Sequence, residues 1–496
     1  MTEEILADPA LGRLADAVLI PPFPDSVAPG WIRDALSDGL AGVTLFGPNV
    51  QDRAQLGDLV ASLRDAAAEP VIAIDEEGGD VTRLSHQTGS DYPGNAALGA
   101  VDDVALTRSV YAALGADLAA LGINLDLAPA VDVNTAADNP VIGTRSFGSD
   151  PALVARHAAA AVAGLQSAGV AACAKHFPGH GSTSADSHLV IATVEAPLSV
   201  LRARDLPPFE AAIAAGVRCI MPGHLRIPEL TGDLPASLSY RAQTDLLRGE
   251  LGFAGLIVSD GLEMRAVSDR YGIPEAAVQA VIAGTDLLCL GRDQDHLSFL
   301  AVRAALVQAV RSGRLPGQRL EEAAARVAEL RAWTADHART EPAGGGEGAA
   351  IGLAAARRAI ASEGSLPALH RPLVIQLVPP SNLAVGAVPW GLRPWLADDS
   401  YREISTGTRA AELPGLVSRL LGEAGERSLV VVVRDAHRHS VAADAVSLLV
   451  AARPDAVVLE MGLPVWRPAA GRYLASYGAA RSNSRAAAEA LGLAGP

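Results

Sequence analysis

Short apolar runs alternate along most of the chain with longer segments in which apolar residues recur every three or four positions. The runs are typical of strands buried on both faces, and the longer segments are typical of amphipathic helices. Eight strand–helix repeats over about 250 residues predict a closed (β/α)8 barrel, and a doubly wound open sheet is the alternative. The runs are AVLI at 17–20, GVTLF at 42–46, VIAID at 71–75, INLDL at 123–127, VAACAKHF at 170–177, VRCIM at 217–221, LIVSD at 256–260 and DLLCL at 286–290.

A glycine-rich segment, TEPAGGGEGAA at 340–350, interrupts this alternation. Such a segment is typical of a flexible connection between packed domains. Beyond it, RPLVIQLV, SLVVVVRD and DAVVLEMG predict buried strands, whereas ADAVSLLVAAR and SRAAAEALG predict helices. The sequence therefore predicts an α/β protein with a barrel domain over 1–340, a linker and connecting helix over 341–365, and a smaller α/β domain over 366–496.

The composition indicates a large globular protein with an acidic surface. Of the 496 residues, 49% are hydrophobic but only 4% are aromatic, so the cores must consist mainly of Ala, Leu and Val. The formal net charge of −16 repels phosphate backbones and anionic membranes. We therefore expect neither a nucleic acid nor a membrane as partner, and the sequence leaves a homodimer open.

The cysteines and the first residues favour a cytoplasmic protein. Cys173, Cys219 and Cys289 are far apart and each lies in an apolar run, which predicts buried free thiols instead of a disulfide or a thiolate site. The first twenty residues, MTEEILADPALGRLADAVLI, carry acidic residues where a signal peptide needs positive charge. No later stretch reaches the roughly 18 apolar residues of a membrane-spanning helix.

Ionisable residues stand at the carboxyl ends of several predicted strands. Asp75 ends the third run, Lys175 and His176 end the fifth, and Asp260 ends the seventh. The chemistry of (β/α)8 barrels takes place at this end of the barrel. A single such residue is more often a helix cap, a surface charge or a satisfied core histidine. Several of them at matching strand ends would cost stability unless they converge on a polar ligand.

Five separated motifs connect these residues to a known family. In chain order they are IDEEGGDVTRL at 74–84, NPVIGTRSFG at 139–148, KHFPGHGSTSADSH at 175–188, MPGHL at 221–225 and LIVSDGLEM at 256–264. With these motifs the chain resembles the bacterial β-N-acetylglucosaminidases of glycoside hydrolase family 3, strongly over about 17–335. The resemblance implies a catalytic barrel that cleaves terminal β-linked N-acetylglucosamine from a small carbohydrate, without a cofactor or a metal.

The resemblance also implies a role for each matching residue. Asp260 corresponds to the nucleophile that bonds to the anomeric carbon, and His188 corresponds to the general acid and base. Asp186 corresponds to the residue that orients and polarises this histidine. The positions that correspond to sugar-binding residues are Asp75, Arg83, Arg145, Lys175 and His176.

The chemistry of glycoside cleavage agrees with these roles. Cleavage with retention needs a carboxylate nucleophile and a proton donor beside the scissile bond. A histidine, with an ordinary pKa of about 6.5, can pass the proton in both directions.

Three positions depart from the family pattern. Ser182 replaces a common aspartate, Leu189 a common histidine and Glu76 a common glutamine.

Three other functions remain open. A phosphorylase on the same fold would use inorganic phosphate as acceptor, because a histidine repels an incoming anion less than a carboxylate does. A metal-dependent hydrolase would use His176, His180, His188 and Asp186, whose spacing lacks a helical pair such as HExxH. A non-catalytic sugar-binding or regulatory protein would keep the barrel and lose the chemistry. The sequence does not distinguish chitobiose from a muropeptide sugar as the substrate, or assign a role to the C-terminal domain.

Overall fold

The computed structural model describes residues 9–338 and 346–495, which form two compact units. Within the described residues, the first unit contains 9–77, 107–142 and 149–338, and the second contains 78–106, 143–148 and 346–495. The first part of the predicted linker, 341–345, lies outside the described residues.

Eight strands in parallel pairing form the centre of the first unit. Pairing follows chain order from β2 to β7, and β8 pairs with β1. A parallel bridge between Val258 and Leu287 connects β7 to β8, and the Thr44 amide donates to the Pro21 carbonyl between β1 and β2. The strands therefore close into the predicted (β/α)8 barrel. They are β1 (Leu19–Ile20), β2 (Gly42–Leu45), β3 (Val71–Ile74), β4 (Leu125–Asp126), β5 (Ala171–Phe177), β6 (Cys219–Pro222), β7 (Leu256–Ile257) and β8 (Leu288–Cys289).

Helices follow the strands of the barrel and present an apolar face to them. In the helix that precedes β5, Asp150 caps the N terminus by accepting from the Ala152 amide, and Pro151 occupies the first turn. In chain order the helices up to residue 337 are α1 (Pro9–Asp16), α2 (Gly30–Asp38), α3 (Arg53–Ala66), α4 (Asn95–Val101), α5 (Val104–Ala120), α6 (Pro151–Ser167), α7 (Leu198–Arg204), α8 (Pro207–Ala214), α9 (Pro228–Thr231), a π-helix (Arg241–Glu250), α10 (Arg265–Tyr271), α11 (Ile273–Ala283), α12 (His296–Arg311) and α13 (Gly317–His337). Of these, α4 belongs to the second unit. Two short strands, Ala192–Thr193 and Leu225–Arg226, pair in parallel outside the barrel.

The barrel core is built from small and branched residues. Val71, Ala73 and Leu125 of neighbouring strands pack in one buried cluster with Val327 and Leu330 of α13. All three cysteines are buried and free, which confirms the prediction made for them. Across residues 9–338 and 346–495, no helix combines the length and apolar character that crossing a bilayer requires.

The second unit contains a six-stranded sheet in the order β9-β14-β13-β12-β10-β11. Its strands pair in parallel except for β9, which is antiparallel to β14. The predicted smaller α/β domain is thereby confirmed. Its strands are β9 (Ala361–Glu363), β10 (Leu373–Val378), β11 (Tyr401–Ser405), β12 (Leu429–Val433), β13 (Val457–Glu460) and β14 (Arg472–Ala475), and its helices are α14 (Glu347–Ala359), α15 (Leu413–Ala424), α16 (Ser440–Ala452) and α17 (Arg481–Ala490).

Segments 78–106 and 143–148 are part of the second unit, although they lie far from its sheet in sequence. The buried carboxylate of Asp80 accepts from the Thr144 hydroxyl at 2.6 Å and from the Ala479 amide at 3.0 Å. It also pairs with Arg434, directly after β12, at 3.0 Å. One carboxylate therefore joins both segments to the carboxyl edge of the sheet.

Candidate active site

Lys175 lies in β5 and its ammonium group contacts two carboxylates. Its Nζ atom is 2.7 Å from Oδ1 of Asp75 and 2.8 Å from Oε1 of Glu77, and only 3% of the lysine side chain is exposed. Charge-assisted hydrogen bonds of this length hold a lysine in one position. The structure thus brings together Asp75 and Lys175, two of the predicted sugar-binding residues, and adds Glu77, for which no role was predicted.

His176 follows Lys175 and is paired with a buried carboxylate on the loop after β4. Its Nδ1 atom lies 2.9 Å from Oδ2 of Asp132, and Oδ1 of the same carboxylate accepts from the His180 amide at 2.6 Å. Burial alone would raise the pKa of Asp132, but His176 and His180 bring that pKa below its ordinary value. Asp132 therefore stays ionised and fixes the orientation of the His176 ring.

His188 and Asp186 form the predicted pair on the loop after β5. Nδ1 of His188 is 2.7 Å from Oδ1 of Asp186, and the His188 amide donates to the same oxygen at 2.9 Å. Burial would raise the pKa of Asp186, but the hydrogen bonds from His188 lower it below its ordinary value. An ionised Asp186 that accepts the Nδ1 proton leaves Nε2 of His188 available to give or take another proton.

Asp260 follows β7 and is surrounded by imidazole groups. Burial would raise the pKa of its carboxyl, but the facing rings of His224, His176 and His188 outweigh burial and lower that pKa. The Gly261 amide also donates to its Oδ1 at 2.8 Å. The carboxylate is therefore ionised at neutral pH, as a nucleophile must be, and it interacts electrostatically with both His176 and His188.

His224 lies in the MPGHL motif, but the sequence analysis assigned it no role. Its Nε2 atom is 2.9 Å from the carbonyl oxygen of Gly261, and its Nδ1 atom is 2.7 Å from Oγ of Ser237. Burial lowers the pKa of His224, although the carboxylate of Asp260 opposes this shift. Nε2 donates to the Gly261 carbonyl and Nδ1 shares a hydrogen bond with the Ser237 hydroxyl, so His224 holds the peptide that follows Asp260.

Glu263, three positions after Asp260, is another residue that sequence reasoning missed. Burial raises the pKa of its carboxyl to about 8, and the Arg292 amide donates to its Oε1 at 2.9 Å. A Cβ on Gly291 would lie 1.4 Å from Oε2 of Glu263. Because Gly291 also has a φ of +81°, this position requires glycine. Glu263 thus packs the loop after β7 against the loop after β8.

The remaining predicted sugar-binding residues, Arg83 and Arg145, lie in the second unit. The Arg83 guanidinium donates to the Ala384 carbonyl at 3.1 Å. Arg145 is 7% exposed, and its own carbonyl accepts from the side-chain amide of Asn95 at 2.7 Å. These hydrogen bonds hold the Arg83 guanidinium and the Arg145 backbone within that unit.

The three departures from the family pattern have different surroundings. Ser182 accepts from the Arg204 guanidinium at 2.9 Å, so a neutral hydroxyl stands beside a cation that also pairs with Asp205. Leu189 is 46% exposed, next to His188. Glu76 is buried, and its amide donates to Oδ1 of Asp126 at 3.0 Å. Among the described residues, no group of three or more His, Cys, Asp or Glu side chains is arranged to hold a metal ion.

Comparisons with known proteins identify the family. Residues 30–330 match the glycosyl hydrolase family 3 N terminal domain. The chain is 35% identical over 318 residues to Beta-hexosaminidase A of Pseudoalteromonas piscicida, which covers 59% of this chain and 53% of that protein. It is 41% identical over 266 residues to Beta-hexosaminidase LpqI of Mycobacterium tuberculosis, which covers 52% of this chain and 67% of that protein.

A solved structure resembles both units of the chain. The glycoside hydrolase family 3 β-N-acetylglucosaminidase from Paenibacillus sp. str. FPU-7 matches with a TM-score of 0.86 and 33% sequence identity, and the match covers 98% of this chain and 97% of that one. By contrast, the chain spans about half the length of the Pseudoalteromonas relative, 53%. The match to the N-terminal domain alone includes more than half of the residues, and the chain belongs to glycoside hydrolase family 3.

Proposed function

We propose that the protein is a retaining β-N-acetylhexosaminidase that removes terminal β-linked N-acetylglucosamine from small chito-oligosaccharides or cell-wall fragments. The observation that carries this proposal is the geometry of two loops: His188 is paired with Asp186 at 2.7 Å, and the His188 carbonyl accepts at 3.2 Å from the amide of Arg265, in the segment that follows Asp260. The Asp260 carboxylate can attack carbon and His188 can transfer a proton. The printed names of the relatives, β-hexosaminidase and β-N-acetylglucosaminidase, support the choice of sugar.

The first step forms a covalent intermediate. Asp260 attacks the anomeric carbon and donates an electron pair to the new carbon–oxygen bond. The bond to the aglycone oxygen breaks, and Nε2 of a protonated His188 gives that oxygen its proton. Asp186 accepts the Nδ1 proton throughout, so it stabilises the charged imidazole before the transfer and orients the ring.

The second step releases the sugar. Neutral His188 removes a proton from water, the water oxygen attacks the anomeric carbon from the face that the aglycone left, and the bond to Asp260 breaks. Two inversions at one carbon retain the β configuration. The histidine is protonated again and ready for the next cycle.

We further propose that Asp75, Lys175 and His176 of the first unit bind the sugar. A carboxylate, an ammonium group and an imidazole supply acceptors and donors for its hydroxyl and N-acetyl groups. The sugar-binding roles of Arg83 and Arg145, in the second unit, stay predictions from the family resemblance. The contacts of Lys175 with Asp75 and Glu77, and of His176 with Asp132, support this proposal because they hold two of the donors in place. A site that satisfies a polar group by hydrogen bonds rejects analogues that lack it.

The test is an assay of 4-nitrophenyl N-acetyl-β-glucosaminide and of the matching β-glucoside, each with and without inorganic phosphate. We expect release of free β-N-acetylglucosamine at a rate independent of phosphate, and a much lower kcat/KM for the glucoside. N-acetylglucosamine 1-phosphate as the main product would favour the phosphorylase instead. Sugar binding without turnover would favour the non-catalytic protein.

A cytoplasmic location is a further part of the proposal. The three buried free thiols support it, because reduced cysteines are the rule in the cytosol. Small imported or recycled fragments would then be the substrates. Fractionation of cells that produce the full-length protein, with activity measured in each fraction, tests this location.

A further inference from the structure

His180 is the histidine of the KHFPGHGSTSADSH motif that the proposed mechanism does not use. Its side chain is 1% exposed, and both ring nitrogens lie within hydrogen-bond distance of hydroxyl groups on the loop that follows. Nδ1 is 2.7 Å from Oγ1 of Thr183, and Nε2 is 2.9 Å from Oγ of Ser187. Ser187 stands between Asp186 and His188, so the second contact reaches the middle of the proposed catalytic pair.

Hydrogen bonds and a close backbone contact fix the main chain around His180. Asp132 accepts from its amide at 2.6 Å, and the side-chain amide of Asn139 donates to its carbonyl at 2.9 Å. A Cβ on Gly181 would lie 2.0 Å from the carbonyl oxygen of Val133, so the chain here lies directly on the loop after β4. The imidazole of His180 is therefore attached to the barrel itself.

The segment that carries the catalytic pair is much less buried. Side-chain exposure is 24% for His188 and 14% for Asp186, and Leu189 and Val190 immediately after them are 46% and 53% exposed. Ser187, in contrast, is 3% exposed and points to His180. Apolar packing thus contributes little to the position of this segment, and the polar contact through Ser187 becomes correspondingly important.

One arrangement of protons satisfies every group in this network. The Thr183 hydroxyl donates to the His180 carbonyl at 3.1 Å and accepts the Nδ1 proton of His180. Nε2 of the ring shares a hydrogen bond with the hydroxyl of Ser187. An imidazole that is hydrogen-bonded at both nitrogens is a rigid link between the base of the loop and its catalytic end.

We propose that His180 is a positioning residue that acts through Ser187 to set the place of the Asp186–His188 pair beside the anomeric carbon. This inference rests on the proposed function, because it requires His188 to transfer a proton to the aglycone oxygen. Proton transfer needs hydrogen-bond distance between the two atoms, so a displacement of about 1 Å at the loop lowers the rate of the step that depends on it. Substrates whose leaving group needs no proton are much less sensitive.

The experiment compares Ser187→Ala with wild-type enzyme on two substrates, chitobiose and 4-nitrophenyl N-acetyl-β-glucosaminide. Loss of one hydrogen bond predicts a fall of about tenfold in kcat/KM for chitobiose. For the nitrophenyl substrate, whose phenolate leaves without a proton, we expect a fall of no more than about twofold in kcat/KM. Ser184→Ala is the matched control, because this exposed serine lies on the same loop and should leave both values unchanged.

A second variant and an added nucleophile separate positioning from folding. His180→Gln should show the same selective loss as Ser187→Ala, and Ser187→Thr, which retains the hydroxyl, should recover most of the chitobiose activity. Azide needs no general base, so it should raise nitrophenyl turnover in the variants whenever hydrolysis of the covalent intermediate limits it. Equal losses on both substrates, or wild-type values for Ser187→Ala, would overturn the inference. A wild-type enzyme without activity on either substrate would instead overturn the proposed function.

Discussion

His188 contacts Oδ1 of Asp186 twice, through Nδ1 at 2.7 Å and through its own amide at 2.9 Å. This double contact fixes the ring relative to its own backbone. It is possible because only Ser187 separates the two residues in the chain. The charge of Asp186 is maintained because the hydrogen bonds lower its pKa against the effect of burial. The pair can therefore alternate between a neutral and a charged imidazole without a change of geometry, as a residue that serves as both acid and base requires.

The nucleophile assignment predicts the behaviour of Asp260→Ala. Removal of the carboxylate should lower kcat on 4-nitrophenyl N-acetyl-β-glucosaminide by roughly four to six orders of magnitude, the range found when a nucleophile or its partner is removed from another covalent enzyme. Thermal unfolding should show an intact fold. Asp233→Ala, at an exposed position of the same unit, is the control and should retain full activity. Activity of Asp260→Ala near the wild-type value contradicts the assignment.

The contact between Asp132 and His176 predicts that loss of the Asp132 charge weakens sugar binding. Asp132→Asn preserves the shape of the side chain but removes the charge that fixes the proton on Nδ1 of His176. We expect KM for the nitrophenyl substrate to rise about tenfold, which corresponds to one charge-assisted hydrogen bond. The inhibition constant of free N-acetylglucosamine should rise in parallel. If both constants stay at their wild-type values, His176 does not depend on Asp132 for binding.

Glu263 predicts a pH dependence of stability. Burial raises the pKa of this carboxyl from 4.5 to about 8, so between these values the folded protein holds a proton that the unfolded chain has released. The free energy of unfolding should then fall as pH rises through this window, by up to about 1.4 kcal/mol per pH unit. Glu263→Gln cannot ionise and should lack this slope. Urea unfolding of both proteins at pH 5, 6, 7 and 8 measures the difference, and parallel curves would refute the prediction.

The ion pair of Arg434 and Asp80 predicts a stability effect within the second unit. The side chains are 15% and 2% exposed, so Arg434→Gln leaves a buried carboxylate without its cation. Such a loss costs about 3 kcal/mol of unfolding free energy. Arg402→Gln breaks a half-exposed pair with Glu423 and should cost no more than about 1 kcal/mol. If the two variants lose the same unfolding free energy in urea, the buried pair contributes no more to stability than the half-exposed pair.

The sequence predicted the barrel strands because a strand buried on both faces leaves a continuous apolar run, as Val71–Ile74 does. It also identified Asp75, Lys175 and Asp260 as strand-end residues. It could not identify Asp132 or Glu263, because an isolated acidic residue in a loop has the same appearance whether it is exposed or pairs with a distant group. The grouping of segment 78–106 with the second sheet depends on contacts such as that between Asp80 and Arg434, which no local pattern reports.

The most direct test of the retaining mechanism is intact-mass spectrometry of His188→Ala after incubation with 4-nitrophenyl N-acetyl-β-glucosaminide. Without its general base the enzyme should form the glycosyl intermediate faster than water removes it. We predict a mass increase of one N-acetylglucosaminyl group, located on Asp260 by peptide mapping and discharged by azide as the β-glycosyl azide. An enzyme that turns over slowly without any adduct, or that carries the adduct on another residue, would contradict covalent catalysis by Asp260 with His188 as acid and base.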